Sequence, residues 1–283
     1  MPPSRRRLKK LVHKGVPHAM RAAAWFRLAG AHDRLEEGRY AALAAEAADP
    51  ATAAANPFFD IIERDLHRCF PNHVLFCTPG GEGQQALREV LRAYALFNPT
   101  VGYCQGLGMV AGTLLMLLER ERAFWVLVCL LETPCKGLYD PDLLQLKTDA
   151  IVFDRLLAKK LPRLARHFCA NDVSALMFIT QWFLTIFTTS LPWPSALRVW
   201  DMLLVDGPKA IFRIGLAVLM IGKRHLIKAC PTNAEILPWI LHVPTEHLQP
   251  DAVVFVALGI ELRASDIVKM RLSASKAQLA GLV

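Results

Sequence analysis

The chain has 283 residues, 53% apolar and 20% charged, which is enough to bury the core of one large domain or of two closely packed ones. Its seven cysteines form no CxxC pair and no zinc-type spacing with histidine, and their odd number argues against a disulfide framework. The net charge of +8 favours an acidic partner, such as a protein face, an anionic membrane surface or nucleic acid. Nucleic acid is the least favoured of the three, because the sequence contains no zinc finger, no RNA-binding signature and no aromatic-interleaved basic run.

The N-terminal part of the chain begins with a basic tail, residues 1–9, which leads into "LVHKGVPHAM". That segment lacks the sustained apolar core of a signal peptide. The alanine-rich stretch at 40–57 offers almost no large apolar side chain to bury. It therefore predicts a connector, partly helical up to Ala48, between the first helix and the segment that follows.

Four longer segments, at 83–97, 123–132, 146–168 and 210–229, have apolar residues at helical spacing. They are separated by clusters of proline and glycine, which end helices. No run of alternating strands and no repeat of fixed period is present. The sequence therefore predicts an all-α, multi-helix fold in which helix packs on helix.

The longest uncharged stretch, Val173 to Leu197, is long enough to span a bilayer. It contains Gln181, several threonines and serines, and two prolines near its end. These features favour a buried helix followed by a turn, with a membrane span as the alternative. A composition shift near Asn171 predicts an N-terminal lobe that carries the unusual polar residues and a C-terminal lobe of mostly apolar helices.

Signatures of self-contained enzymes are absent, including GxxxxGK[ST], GxGxxG after a strand, HExxH and GxSxG. The glycines of "TPGGEGQQ" precede a helix whose N-terminus could bind an anion, but a glycine-rich turn that caps this helix is favoured. The histidines show no metal-ligand spacing on a shared helix face. We therefore expect no metal site and no cofactor belonging to the chain itself.

The stretch "IERDLHRCFP", residues 62–71, contains an aspartate at the margin of an apolar helix face. On a helical projection Asp65 borders the arc of Ile62 and Leu66, while Arg68 lies just outside it. A carboxylate at such a margin is partly desolvated and needs a cation or hydrogen-bond donors. The alternative role for the Asp65 and Arg68 pair is a salt bridge that ties two helices together.

A second unusual stretch is "GYCQGLGMVAG", residues 102–112, where Gln105 stands among four glycines. Each glycine destabilises a helix by roughly 1 kcal/mol relative to alanine. So many glycines indicate close backbone approach by another helix or by a partner, with tight internal packing as the alternative. An arginine and a glutamine without a nucleophile, metal or cofactor loop cannot form a complete hydrolase, but they can complete the active site of another protein. In GTP hydrolysis an arginine supplied in trans stabilises the transition-state charge, and a glutamine positions the attacking water.

Three motifs in order make the chain resemble the TBC-domain GTPase-activating proteins of Rab GTPases. "RAAAW" at 21–25 is similar to R-x-x-x-W, "IERDLHR" at 62–68 to I-x-x-D-x-x-R, and "YCQG" at 103–106 to Y-x-Q-G. Further similarity runs through 191–219, so the resemblance covers roughly residues 10–270. It implies a TBC domain at 10–270, with a catalytic lobe at about 10–170, a helical lobe at about 171–270, and a C-terminal tail at 271–283.

The resemblance also implies a role for each motif residue. Arg68 would be the arginine finger, and Gln105 the glutamine finger that positions water in place of the GTPase's own glutamine. The other motif residues would support these two. Asp65 would be an internal anchor, paired with Arg21, and Trp25 and Ile62 would be packing supports. Tyr103 and Gly106 would orient Gln105. Arg64, the competing arginine, is expected to be a solvated surface residue.

By the same resemblance the partner would be a GTP-bound Rab GTPase, which itself carries the GTP and Mg²⁺. The chain would act in the cytoplasm, at cytosolic faces of endomembranes, in vesicle trafficking, with peripheral membrane association. The sequence does not define the oligomeric state, and a monomer is favoured. Determinants of targeting and Rab choice would lie on the domain surface or in sequence outside this chain. The alternative function is a catalytically silent helical scaffold that binds a small GTPase or another protein.

Overall fold

A computed structural model describes residues 4–279 of the chain, and within that range it contains seventeen α-helices, one short 3₁₀ helix and no strand. The all-α prediction is therefore confirmed. The helices form two compact units. Val16–Asp142 make up one, here called the continuous unit, while the other joins the described residues up to Gly15 to those from Leu143 onward and is called the split unit.

Most helices of the chain begin or end at a proline, a glycine or a polar residue. The first nine helices are α1 Arg5–Lys14, α2 His18–Leu28, α3 Ala31–Arg34, α4 Arg39–Ala48, α5 Pro50–Ala55, α6 Pro57–Leu66, α7 Glu82–Phe97, α8 Leu107–Leu115 and α9 Arg120–Glu132. The remainder are α10 Leu144–Lys160, α11 Pro162–Ala170, α12 Leu176–Leu184, α13 Trp193–Asp206, α14 Lys209–Ala229, α15 Asn233–Leu241, α16 Pro250–Gly259 and α17 Ala264–Leu279, with the 3₁₀ helix at Thr245–His247.

The centre of the continuous unit is α7, which packs against α4, α6, α8 and α9. Leu87 and Val90 of α7 are fully buried, as are Phe124 and Trp125 of α9. Burial of side chains of this size contributes roughly 1.5–3 kcal/mol each. Helix α6, which contains Asp65, therefore packs against a helix whose apolar side chains are fully buried.

The alanine-rich stretch is more ordered than the sequence suggests. Helix α4 ends at Ala48, as predicted, but Tyr40 and Leu43 are buried where α4 packs on α7. The Asp49 carboxylate then accepts a 2.9 Å hydrogen bond from the Thr52 backbone N–H and so caps α5. Two large side chains and one cap are enough to hold a segment that is otherwise mostly alanine.

The split unit is built around the long helix α14, which packs against α11, α12, α13, α15 and α16. Its core includes an aromatic cluster with ring centroids about 5–6 Å apart, formed by Phe153, Phe178, Trp182, Phe183 and Phe212. Edge-to-face aromatic pairs of this kind add about 0.5–1.5 kcal/mol beyond their buried area. This unit is therefore dominated by apolar packing.

The uncharged stretch at 173–197 folds as a buried helix followed by a turn, which is the structure that its composition favours. Helix α12 ends at Leu184, and α13 begins at Trp193 after a turn that contains Pro192. Among residues 4–279, no helix is both long enough and apolar enough to cross a membrane.

The division into units falls between Asp142 and Leu143, whereas the composition shift predicts a lobe boundary near Asn171. The physical reason is that α10 packs on α11, α12 and α17, so helices on both sides of Asn171 share one core. The Asp154 carboxylate of α10 also accepts a 3.1 Å hydrogen bond from the Ala175 N–H. At the ends of the chain, the expected tail boundaries at 9/10 and 270/271 fall inside α1 and α17.

Candidate functional site

Helix α6 begins with two sequence signals that favour helix initiation. Asn56 caps the helix by accepting a 3.0 Å hydrogen bond from the Phe58 N–H, and Pro57 occupies the first helical position. Phe59, Ile62 and Leu66 are then buried at helical spacing. The helix ends at Leu66, which places Arg68 in the turn directly beyond it.

Asp65, near the end of α6, has two partners for its carboxylate. Its Oδ1 pairs with the Arg68 guanidinium, and its Oδ2 accepts a 2.9 Å hydrogen bond from the Tyr103 hydroxyl. Asp65 is 7% exposed, while the Arg68 side chain is 58% exposed. A buried carboxylate is tolerated when its lone pairs are satisfied, so this network explains why an aspartate borders the apolar face.

The partner of Asp65 differs from the one expected from the family resemblance. Arg21 is buried and donates a 2.7 Å hydrogen bond to the Val16 carbonyl, while Asp65 pairs with Arg68 and Tyr103. Arg68 is three residues after Asp65, in the turn that follows α6, and therefore reaches the carboxylate locally. The salt bridge joins α6 to its own following turn and does not tie two helices together.

The other motif residues lie where their types predict. Trp25 and Ile62 are completely buried. Arg64 is exposed, and its Nε donates a 3.2 Å hydrogen bond to the Asp60 carbonyl one turn earlier. The exposure of Arg64 agrees with its expected place on the solvated side of α6.

Two of the four glycines at 102–112 stand at positions where a larger residue would be strained or would clash. Gly106 has φ = 105° at the N-cap of α8, a conformation that residues with a Cβ rarely adopt. A Cβ at Gly108 would lie 2.5 Å from the Cys69 Sγ. Of the two explanations that the sequence left open, tight internal packing accounts for Gly108, because α8 lies against the turn after Arg68.

Gln105 lies in the turn between Tyr103 and α8, and its side chain is exposed. Within the described part of the chain its carboxamide makes no hydrogen bond. The turn that carries it contacts the Arg68 segment through Tyr103 and Asp65, and α8 contacts the same segment through Gly108 and Cys69. The structure therefore places Arg68 and Gln105 on two segments in direct contact, each with an exposed side chain.

Burial changes the protonation behaviour of two groups beside the site. It raises the pKa of the Cys69 thiol to about 11 and also raises the pKa of the Tyr103 hydroxyl. At neutral pH the thiol is therefore protonated and a poor nucleophile, and the tyrosine is a hydrogen-bond donor. Among residues 4–279, no group of three or more His, Cys, Asp or Glu side chains is placed to hold a metal ion.

Several supporting residues could not be identified from the sequence. Glu63 of α6 forms ion pairs with Arg88 at 2.7 Å and Arg92 at 2.9 Å on α7. The buried Gln84 side chain accepts a hydrogen bond from the Gly80 N–H at 2.9 Å and donates to the Phe76 carbonyl at 3.0 Å. Gln84 thus holds the "TPGGEGQQ" turn, which agrees with a structural role for the glycines of that turn. The only sequence signal for this role of Gln84 is its position within the glycine-rich stretch.

The site has a limited chemical repertoire. It offers an exposed guanidinium on a turn anchored by a buried carboxylate, and an exposed carboxamide on an adjacent turn. The guanidinium can stabilise negative charge, and the carboxamide can both donate to and accept from a water molecule. These two groups can assist a reaction whose nucleotide or other substrate is bound by another molecule.

Comparison with known proteins defines the class. Residues 18–227 match the Rab-GTPase-TBC domain family, and this match spans most of the chain. The chain belongs to this family, as the three sequence motifs predict.

Individual relatives and a solved structure agree with this assignment. The chain is 42% identical to mouse carabin over 87% of its length, and 37% identical to mouse TBC1 domain family member 10B over 88%. It spans 56% of the first protein and 31% of the second. The TBC domain of a Chlamydomonas flagellar RabGAP has a similar structure, with a TM-score of 0.81 and 30% identity over 92% of this chain and 86% of that one.

Proposed function

We propose that the chain is a GTPase-activating protein for Rab GTPases, with Arg68 as arginine finger and Gln105 as glutamine finger, both supplied in trans. The single observation that best supports this proposal is the Asp65 network. One buried carboxylate contacts both the Arg68 side chain and, through Tyr103, the turn that presents Gln105. Both the guanidinium and the carboxamide are exposed, so both can reach a partner that docks over the two turns.

In this mechanism the partner GTPase binds GTP and Mg²⁺, and the chain contributes no cofactor of its own. Arg68 would stabilise the charge that spreads over the phosphoryl oxygens in the transition state. Gln105 would orient the attacking water, a task that the GTPase's own glutamine performs in Ras. Gly106 would allow the backbone turn that points Gln105 outward, and Tyr103 would fix that turn to α6.

The cellular setting follows from the partner. The substrate would be a GTP-bound Rab on the cytosolic face of an endomembrane, and stimulated hydrolysis would end its role in vesicle trafficking. The chain would work there as a peripherally associated monomer. It would complete an active site rather than contain one.

A catalytically silent scaffold is the second candidate function. It would use the same helical surface to bind a GTPase without stimulating hydrolysis. The presence of both Arg68 and Gln105 favours the activator, because a scaffold has no requirement for a finger residue at either position.

The test is hydrolysis of GTP by a panel of purified Rabs, with and without the full chain. Wild type is compared with Arg68→Ala, Gln105→Ala and, as a matched control, Arg64→Ala. Arg64 is an exposed arginine of α6, four residues before Arg68, so its removal changes the charge equally. Circular dichroism and thermal unfolding verify that all four proteins are folded.

We expect stimulation of one or a few Rabs, abolished in the two finger variants and retained in Arg64→Ala. An arginine supplied in trans to Ras accelerates hydrolysis by about 10³ to 10⁵, which sets the expected scale for the loss at Arg68. Binding of a Rab without stimulation by wild type would instead establish the scaffold. Equal stimulation by wild type and by Arg68→Ala would reject the finger assignment.

A further inference from the structure

The outer face of α1 is a concentrated basic surface on the split unit. On a helical projection, one side of α1 carries Arg5, Leu8, Lys9, Val12 and His13, and the other carries Arg6, Arg7, Lys10, Leu11 and Lys14. The four cations on the second side are all exposed, and Leu11 is 49% exposed. No acidic residue occurs in this helix.

The inner face of α1 is firmly fixed, so the outer face is presented by a rigid element. The Asp206 carboxylate accepts a hydrogen bond from Lys9 Nζ at 2.8 Å and contacts His13 Nε2 at 2.7 Å. Arg198 donates a 2.7 Å hydrogen bond to the His13 carbonyl, and Val12 is buried. Lys9 and His13 are therefore already paired, whereas the cations of the outer face are exposed to solvent.

We propose that this outer face of α1, defined by Arg6, Arg7, Lys10, Leu11 and Lys14, docks on an anionic membrane surface. Charge complementarity selects the occupant, because four cations on one arc of a helix match a plane of lipid headgroups. The exposed leucine on the same arc would enter the headgroup boundary, as the apolar residues of interfacial helices do. The exposed Leu11 among the cations favours a lipid surface over a folded acidic protein, because a lipid surface can take up the apolar side chain as well as the charges.

Membrane docking does not depend on the activator mechanism, since every residue named lies outside the finger segments. It adds to that mechanism a surface through which the chain would reach a membrane-bound substrate. Each lysine or arginine near an anionic membrane contributes about fivefold to partitioning, so four contribute about 600-fold. Screening by salt should reduce this effect strongly.

The experiment is co-sedimentation of the full chain with vesicles of phosphatidylcholine alone and of phosphatidylcholine with phosphatidylserine. The test variant changes Arg6, Arg7, Lys10 and Lys14 to glutamine and leaves the inward Lys9 and His13 intact. The matched control changes four exposed cations elsewhere on the split unit to glutamine: Arg163, Arg166, Arg224 and Lys228. Both variants lower the net charge equally, and circular dichroism verifies that both are folded.

We expect wild type and control to bind the anionic vesicles at low salt, and the α1 variant to bind several hundredfold more weakly. Leu11→Ser should weaken binding a few fold. Stimulation of a soluble Rab should be equal in all variants, so a failed membrane result and a failed activator result are separable. Equal loss in the control, equal binding to phosphatidylcholine alone, or binding of free inorganic phosphate or nucleic acid without binding of vesicles would overturn the proposal.

Discussion

The side chains of Arg68 and Gln105 are held in different ways. The Arg68 turn is fixed through side chains, since Asp65 pairs with Arg68 and accepts a hydrogen bond from Tyr103. The Gln105 turn shares that Tyr103 hydrogen bond, and its backbone has Gly106 at φ = 105° directly before α8 begins at Leu107. Gln105 itself has no side-chain hydrogen bond among the described residues.

This difference follows from charge. A guanidinium beside a buried carboxylate finds a partner within its own helix end, and the pair satisfies a group that would otherwise be costly to bury. A carboxamide is neutral and can remain solvated until a ligand arrives. We therefore expect changes around Arg68 to affect both stability and activity, and changes at Gln105 to affect activity alone.

Arg68→Lys should have the largest effect on activity among the conservative changes. The lysine keeps a positive charge for Asp65, but it lacks the planar fork that contacts two oxygens at once. We expect kcat/KM for Rab GTP hydrolysis to fall about a hundredfold or more, corresponding to about 3 kcal/mol of transition-state stabilisation, with little change in the urea midpoint. Full activity of the lysine variant would mean that charge alone is required.

Asp65→Ala should lower both stability and activity. The change removes the partner of Tyr103 and the anchor of Arg68 while leaving both side chains in place. We expect a decrease of about 1–3 kcal/mol in the free energy of unfolding, measured by urea denaturation. The kcat/KM should fall about tenfold, which is about 1.4 kcal/mol. An unchanged kcat/KM would show that the salt bridge does not position Arg68.

Gly108→Ala tests the close approach of α8 to the Arg68 turn. The added Cβ would lie 2.5 Å from the Cys69 Sγ, so we expect a loss of about 1–3 kcal/mol in the free energy of unfolding from overpacking. The double variant Gly108→Ala/Cys69→Ala should recover part of this loss, because the sulfur is removed. Gly259→Ala is the control, since open space surrounds a Cβ at that position. Equal effects of Gly108→Ala and Gly259→Ala would contradict this packing.

Tyr103→Phe should have the smallest effect of the four. It deletes one hydrogen bond to Asp65 and keeps the ring, so the expected loss is about 0.5–1.5 kcal/mol in the free energy of unfolding. The kcat/KM should fall only a few fold, because Arg68 still pairs with Asp65. A loss of activity as large as that of Arg68→Lys would mean that the hydroxyl has a direct role in the reaction.

The fold class and the motif residues could be predicted from the sequence because both depend on local signals. Helical periodicity, proline and glycine define most of α6, α7 and α8, and the three motifs are contiguous stretches. The burial of Asp65 beside the apolar arc follows from the same periodicity. Each of these features can be recognised without knowing which helices touch.

Features that depend on tertiary contacts could not be obtained in this way. Whether Asp65 pairs with Arg21 or with Arg68 depends on where α6 ends, and element boundaries are the least certain part of a sequence-based prediction. The unit boundary at Asp142 depends on the packing of α10 against α11 and α12. The composition shift near Asn171 carries no information about which helices pack together. Likewise, the need for glycine at position 108 follows from its contact with Cys69, which is 39 residues earlier in the chain.

The proposed mechanism differs from that of Ras in one step, because Gln105 would supply in trans the water positioning that a GTPase otherwise performs itself. The decisive measurement uses a responsive Rab whose own catalytic glutamine has been replaced by alanine. Single-turnover GTP hydrolysis by that Rab is measured with wild type and with Gln105→Ala. We predict that wild type still stimulates hydrolysis and that Gln105→Ala does not. If the wild-type chain does not stimulate the Rab that lacks its own glutamine, the assignment of Gln105 is contradicted.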